Sequence, residues 1–194
     1  MTIGVMYGEY MLIDIFNTAK KYNLILADPP WRYGSKGARS GQFGALDYSD
    51  MSTDEICQLP VSNLSAKDCA LEMWFTASFV EDAIKVCNAW GFKVIRIDVV
   101  WLKETVNQKK HGVTGPWGMS DCEFVLLGSK GKACSLQKGK RNMYTSQSVQ
   151  YPGKHSRKPE HFHELFEERF HNLPRIELFA REHRISWDCW GNEV

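Results

Sequence analysis

The 194-residue chain has no closely paired cysteines, no long apolar run, no phosphate-loop signature and almost no net charge. Each absence closes off a class of function. Its six cysteines (Cys57, Cys69, Cys87, Cys122, Cys134 and Cys189) are widely spaced and include no C-x-x-C pair, so neither a zinc site nor a redox motif is expected. Most lie in apolar contexts and read as reduced core thiols. His161 and His163 are two apart on an expected helix and point to different faces, which argues against a metal pair. No stretch matches a membrane span or a secretory signal, so the chain reads as a soluble, cytoplasmic protein with no membrane partner. The basic, glycine-rich stretch Gly34–Gly44 lacks the G-K-[ST] ending of a P-loop and reads instead as a loop over a site. No repeat or linker divides the sequence. A single domain over residues 1–194 is expected, as a monomer or homodimer.

What is present begins with uneven charge. The net charge is +1, but Trp101 to Lys158 holds eleven Lys and Arg against three acids, a local excess of eight positive charges. Such asymmetry suits a side that faces a polyanion. Lys103, Lys109, Lys110, Lys130, Lys132, Lys138, Lys140 and Arg141 are the candidates for contacts to a nucleic-acid backbone.

The most informative stretch is Leu24-Ile-Leu-Ala-Asp-Pro-Pro-Trp31. Four apolar residues form a short buried strand that stops at an acid, two prolines and an indole. An acid at the carboxyl end of a parallel strand in an open α/β sheet lies at a ligand crevice. Pro29 and Pro30 lack N–H groups and fix φ, while Trp31 offers a flat face for a base. Acceptors beside a stacking surface suit an aromatic amino group such as that of adenine.

The remaining pattern alternates strands with helices, which implies an α/β fold with a largely parallel sheet. A short helix is expected within Tyr10–Lys20. Ser52-Thr-Asp-Glu55 is a capping box for a helix over Thr53–Leu59. Strands are expected at Cys69–Thr76, Phe92–Leu102, Glu123–Gly128 and Arg175–Arg181. Helices are expected at Phe79–Trp90, capped by Ser78 with Gly91 as its C′ residue, and from Pro159 to Phe170. Lys103–Gly118 and Ser129–Gly153 read as loops, and Trp187–Val194 closes the chain.

Around Asp28-Pro-Pro-Trp31, the sequence from about Leu24 onward resembles the MT-A70 family of adenine amino-methyltransferases, in its short phage and bacterial form. Tyr48-x-x-Met51-Ser52, Met73-Trp-Phe-Thr76, Trp90-Gly-Phe92, Trp101-Leu-Lys103, and Thr114-Gly-x-Trp117 followed by Glu123 carry the resemblance in order. Ser156-Arg-Lys-Pro-Glu160, Glu177-Leu-Phe-Ala-Arg181 and Trp190-Gly-Asn-Glu193 complete it. Two departures are Pro116 beside Trp117 and Ile185-Ser-Trp187 in place of a frequent Pro-Gly-Trp. The resemblance implies a Rossmann-like fold with permuted motifs, catalytic before cofactor-binding, and S-adenosylmethionine as cofactor. It implies a catalytic pocket of Asp28, Pro29, Pro30 and Trp31. Lys158 would meet the cofactor's carboxylate, and Arg181, Asn192 and Glu193 its ribose and adenine, with Asp28, Glu177 and His183 near that pocket. The expected activity is N6-methylation of adenine in DNA. The alternatives are an RNA adenosine N6-methyltransferase and a non-catalytic nucleic-acid-binding subunit.

Overall fold

The computed structural model describes residues 11–33, 50–115, 117–139, 142–149, 157–192 and 194. The Gly34–Gly44 loop, Tyr48, Pro116, Lys140, Arg141, Ser156 and Glu193 lie outside the described residues.

A seven-stranded sheet runs in the order β7 (Tyr144–Val149), β3 (Lys93–Glu104), β6 (Cys122–Lys130), β2 (Ser65–Thr76), β1 (Tyr22–Ala27), β8 (Arg175–Leu178) and β9 (Asp188–Trp190). β1 pairs in parallel with β2 and β8, β8 with β9, and β3 with β7, whereas β6 is antiparallel to both β2 and β3. The sheet is therefore largely parallel, as expected, with β6 running against its neighbours. A separate hairpin of β4 (Val113–Gly115) and β5 (Gly118–Ser120) links β3 to β6.

Strands buried on both sides need cover on both faces. On one face, Ile25, Leu71, Met73 and Phe75 pack with Ile56, Val61, Leu64, Ala83, Val86 and Cys87. These last come from α1 (Thr53–Cys57), α2 (Val61–Leu64) and α3 (Val80–Ala89). On the other face, Leu24, Leu26, Ala70, Trp74 and Trp101 pack against Phe162, Phe166 and Phe170, in or just after α4 (His161–Arg169).

Local chemistry sets several boundaries. The Ser52 hydroxyl and Glu55 carboxylate close the expected capping box. The helix stops at Cys57 and the chain turns before Pro60. Gly91 has φ +81° and ends α3 as expected, with the Phe92 N–H donating to the Cys87 carbonyl. Ser78, in contrast, supplies no side-chain cap, because a 3₁₀ turn at Ala77–Phe79 leads into α3. β6 continues past Gly128 to Lys130. Gly128 is a close-approach site rather than a stop, since a Cβ there would lie 2.8 Å from Cys87 Sγ.

Three expectations need correction. Within Tyr10–Lys20, the described residues are not helical: buried Ile13 and Ile15 alternate with exposed neighbours. Ile13 N–H donates to the Cys189 carbonyl and Cys189 N–H to that of Met11, so Met11–Ile13 lies extended beside β9, and a turn closed by Asn17 N–H on the Asp14 carbonyl follows. Ser129–Gly153 contains a strand, β7, whose polar residues suit an exposed sheet edge. Lys103–Gly118 includes the tail of β3 and most of the β4–β5 hairpin.

One buried group stands apart from the apolar packing. Glu72, on the α4 face of β2, is fully buried, and both its carboxyl oxygens lack a hydrogen-bond partner among the described residues. Burial, then the charge of Asp98, raises its pKa well above the ordinary value of 4.5. The folded protein therefore keeps a proton that the unfolded chain releases near that value. This contribution to stability is full below it and declines as pH rises toward Glu72's folded pKa. Glu72→Gln removes that slope, so the variant is expected to be more stable than the parent at pH 8, with a smaller difference at pH 5. Urea melts at the two pH values check this.

Candidate active site

Strand direction assembles the site. The carboxyl ends of β1, β2, β3, β8 and β9 lie on one edge of the sheet, and antiparallel β6 begins there. Glu123 in β6 thus pairs with Thr76 at the end of β2 and with Trp101 near the end of β3. Asp28 follows β1 and donates its N–H to the Leu178 carbonyl at the end of β8. A pocket at this edge is lined by Asp28, Pro29, Trp31, Tyr33, Phe75, Thr76, Glu123 and Lys158. Sequence alone places Asp28 at a crevice, and the described geometry agrees.

Lys158 enters from below. It precedes α4, whose Phe162 wedges edge-on against Trp74 and Trp101 at 5.0 and 5.9 Å between ring centroids. That packing sets the Lys158 ammonium 2.6 Å from Asp28 Oδ2, 3.2 Å from a Glu123 carboxyl oxygen and 5.2 Å from the centroid of the Trp74 ring. Lys103 pairs with the other Glu123 oxygen and lies 5.2 Å from the Trp101 ring centroid. Asp28, Lys158, Glu123 and Lys103 form a chain of alternating charge. Burial opposes the Lys158 charge, but Asp28 and Glu123 outweigh it and raise its pKa. Burial likewise opposes the Glu123 charge, and Lys158 and Lys103 outweigh that, holding its pKa below the usual carboxylate value.

The Asp28-Pro-Pro-Trp31 corner is rigid in a way only partly anticipated. The prolines donate nothing, but their carbonyls are engaged: Pro29 accepts from Trp31 N–H at 2.9 Å and Pro30 from Met51 N–H at 2.8 Å. The first bond closes a three-residue turn and leaves Pro29 a second lone pair. The Trp31 indole N–H donates to the Trp74 carbonyl, and its ring stacks on Phe79 with centroids 5.4 Å apart. Trp31 is only 7% exposed. The open aromatic surface in the pocket belongs to Tyr33, 57% exposed, whose hydroxyl lies 2.9 Å from Thr76 Oγ1. Tyr33 and Glu123 are pocket residues that sequence reasoning did not assign. Glu123 carried a signal, being one of three acids in a strongly basic segment.

The other candidates divide. Phe179 takes a positive φ of 63°, an unusual conformation for a bulky residue, and its ring packs on Trp190 at 5.3 Å. This turn brings Arg181 near enough to Lys158 for its positive charge to oppose the ammonium's, against the net upward shift that Asp28 and Glu123 produce. A Cβ on Gly191 would lie 2.2 Å from the Ala180 carbonyl oxygen, so only glycine lets the tail lie against that turn and carry exposed Asn192 to the same edge. Glu177 faces α4, 3.0 Å from His163 Nε2, and is not among the pocket-lining residues. His183 is exposed, with Nδ1 3.2 Å from Cys189 Sγ.

Among the basic candidates, Lys109 and Lys110 are exposed in the connection after β3, on the pocket's edge. Lys130 ends β6, seven residues past Glu123 and so about 24 Å from the pocket. Lys132 follows it, and Lys138 donates its N–H to Arg169 at the far end of α4. The described basic residues therefore occupy two opposite edges.

An open α/β sheet with acid, ammonium and aromatic groups along one carboxyl edge has the architecture of a Rossmann-like methyltransferase. A family model described as MT-A70 matches residues 22–193, and the chain belongs to that family of methyltransferases. It is 34% identical over 191 residues to Type II methyltransferase M.MunI of a Mycoplasma species, covering 90% of this chain and 78% of that protein. It is 28% identical over 186 residues to an N(6)-adenosine-methyltransferase MT-A70-like protein of Arabidopsis thaliana, covering 94% of this chain and 24% of that one. To the human N(6)-adenosine-methyltransferase catalytic subunit METTL3 it is 27% identical over 179 residues, covering 90% and 28%. The chain thus spans about a quarter of the length of these eukaryotic relatives.

Glu123→Ala removes a carboxylate shared by buried Lys158 and partly buried Lys103, while Lys158 keeps Asp28. A loss of about 2–4 kcal/mol in unfolding free energy at pH 7 is expected, measured by urea denaturation.

Proposed function

We propose that the protein transfers a methyl group from S-adenosylmethionine to the exocyclic N6 amino group of adenine in DNA. The observation that carries this reading is Asp28, a carboxylate at the rigid end of β1 in a pocket shared with Lys158 and the exposed Tyr33.

The donor set suits the cofactor. S-adenosylmethionine bears a carboxylate, an ammonium and a sulfonium, and the site offers both signs of charge close together. Lys158 would meet the carboxylate, and Arg181, Asn192 and Glu193 would hold the ribose and adenine, with Glu177 and His183 farther out. When bound, the cofactor supplies an electrophilic methyl group. The work of this chain is on the other reactant. An adenine amino nitrogen is a weak nucleophile because its lone pair is delocalised into the ring. Asp28 and the second lone pair of the Pro29 carbonyl accept hydrogen bonds from that amino group and favour a pyramidal nitrogen. Positive charge develops there in the transition state, and the Asp28 carboxylate stabilises it where water is scarce. Tyr33 supplies the aromatic face that holds the base, backed by Trp31 and Phe79. Fixing the nitrogen against these groups lowers the barrier further by orientation.

DNA is favoured over RNA by the higher identity to a Type II methyltransferase, over most of that protein's length, than to the N(6)-adenosine-methyltransferases. The deciding experiment is incubation with labelled S-adenosylmethionine and matched DNA and RNA pools, followed by nucleoside mass analysis. N6-methyladenine in the DNA is the expected product. Label confined to RNA, or found in neither, refutes the reading.

Two variants test the roles. Asp28→Asn keeps an acceptor but loses the charge, and turnover is expected to fall at least tenfold, about 1.4 kcal/mol of barrier. Removing residues 192–194 is expected to abolish cofactor binding by calorimetry while leaving the circular dichroism spectrum of the sheet intact.

A further inference from the structure

Trp117 is fully exposed, although every other tryptophan is buried or partly buried. Its position is as unusual as its exposure. The ladder of β4 and β5 closes with Gly115 opposite Gly118, so Trp117 lies at the turn of a hairpin that, among the described residues, pairs with no other sheet. The hairpin is firmly rooted at the active edge. Lys103 N–H donates to the Asp121 carbonyl and His111 N–H to that of Lys103, and the Lys110 ammonium lies 3.3 Å from Asp121. Lys103 and Glu123, at the two roots, belong to the charged chain of the pocket. The tip is six residues from Glu123, which bounds its reach from the pocket at about 20 Å.

The charge of this arm indicates what it meets. Residues 105–120 contain Lys109, Lys110 and His111 and no acid, and both lysines are exposed. A flat apolar ring carried on a basic arm beside a base-binding pocket is complementary to a polyanion that has stacked bases within. In a duplex the adenine amino group is inside the stack, so chemistry on it requires the nucleotide to be extruded. Proteins that open a stack commonly insert an apolar side chain between the bases.

We propose that Trp117 is the wedge for this step: the hairpin inserts its indole into a DNA duplex and stacks in the gap that the target adenine leaves on entering the pocket. The proposal rests on the reading of the protein as a DNA adenine methyltransferase and adds double-stranded substrate and a base-displacing residue to it. Lys109 and Lys110 hold the flanking phosphates, and the indole offsets the stacking that the vacated position loses. A single-stranded target has no stack to open, so it has no need of the wedge.

The test uses the full chain, its Trp117→Ala and Trp117→Phe variants, and sheared genomic DNA supplied either native or heat-denatured. Trp117→Ala is expected to lower methylation of native DNA at least tenfold and to change that of denatured DNA less than twofold, with Phe restoring most of the activity. Equal loss on both substrates, or loss on neither, overturns the wedge. If equal loss comes with a change from dimer to monomer in light scattering, Trp117 belongs to an interface between copies of this chain. Should the parent methylate no adenine polymer, the methyl-transfer reading fails, and the wedge is judged by fluorescence alone. Quenching of the parent by native duplex that Trp117→Phe lacks supports it, and identical quenching of the two overturns it.

Discussion

Placing a lysine ammonium out of water beneath a sheet edge is the constraint on which the site depends. Lys158 cannot stay charged there without anions at contact distance, and Asp28 and Glu123 meet that need from two different strands. Glu123 in turn is held by Lys103, and the rings of Trp74 and Trp101 lie beside the two cations. Buried ion pairs of this kind add little net stability compared with well-packed apolar residues. What they fix is geometry: each carboxylate has an assigned partner, so Asp28 is aimed before any ligand arrives. Such preorganisation is where electrostatic catalysis obtains most of its effect.

The course of β6 makes this possible. In a wholly parallel sheet, the edge where β1 and β2 end would receive only strand ends. By running the other way, β6 begins at that edge and sets Glu123 between Thr76 and Trp101. The same reversal carries Lys130 to the opposite edge, so neighbours in sequence serve different sides of the molecule. A charge count along the chain cannot separate these sides, which is why one basic segment in sequence becomes two patches in space.

Legibility in the sequence followed how local each signal was. The β1 strand with its Asp-Pro-Pro-Trp stop, the Ser52 capping box, the Gly91 terminus and the Phe162–Phe166–Phe170 stripe are each set by residues within one turn or strand, and all are found where expected. β7 escaped because an edge strand of Tyr-Thr-Ser-Gln-Ser-Val shows no apolar run. The extended stretch Met11–Ile13 escaped because only its partner β9, some 175 residues onward, gives it a role. Trp31 shows the reverse case. Its chemistry as a flat ring was plain, but Phe79 and the Trp74 carbonyl already engage it, and no local pattern reveals that. The pairing of Lys158 with Asp28 spans 130 residues; the family resemblance linked both residues to one pocket, but their contact is visible only in three dimensions.

The hairpin leaves the sheet at the end of β3 and returns at the start of the adjacent β6. Because its entry and exit are neighbours already joined by a long antiparallel ladder, residues can be inserted or deleted between them without moving the register of any strand. The scaffold thus has a graft point at the rim of its pocket, where new surface can be tried while the core stays as it is. Exchanging this arm between related chains is the corresponding engineering route.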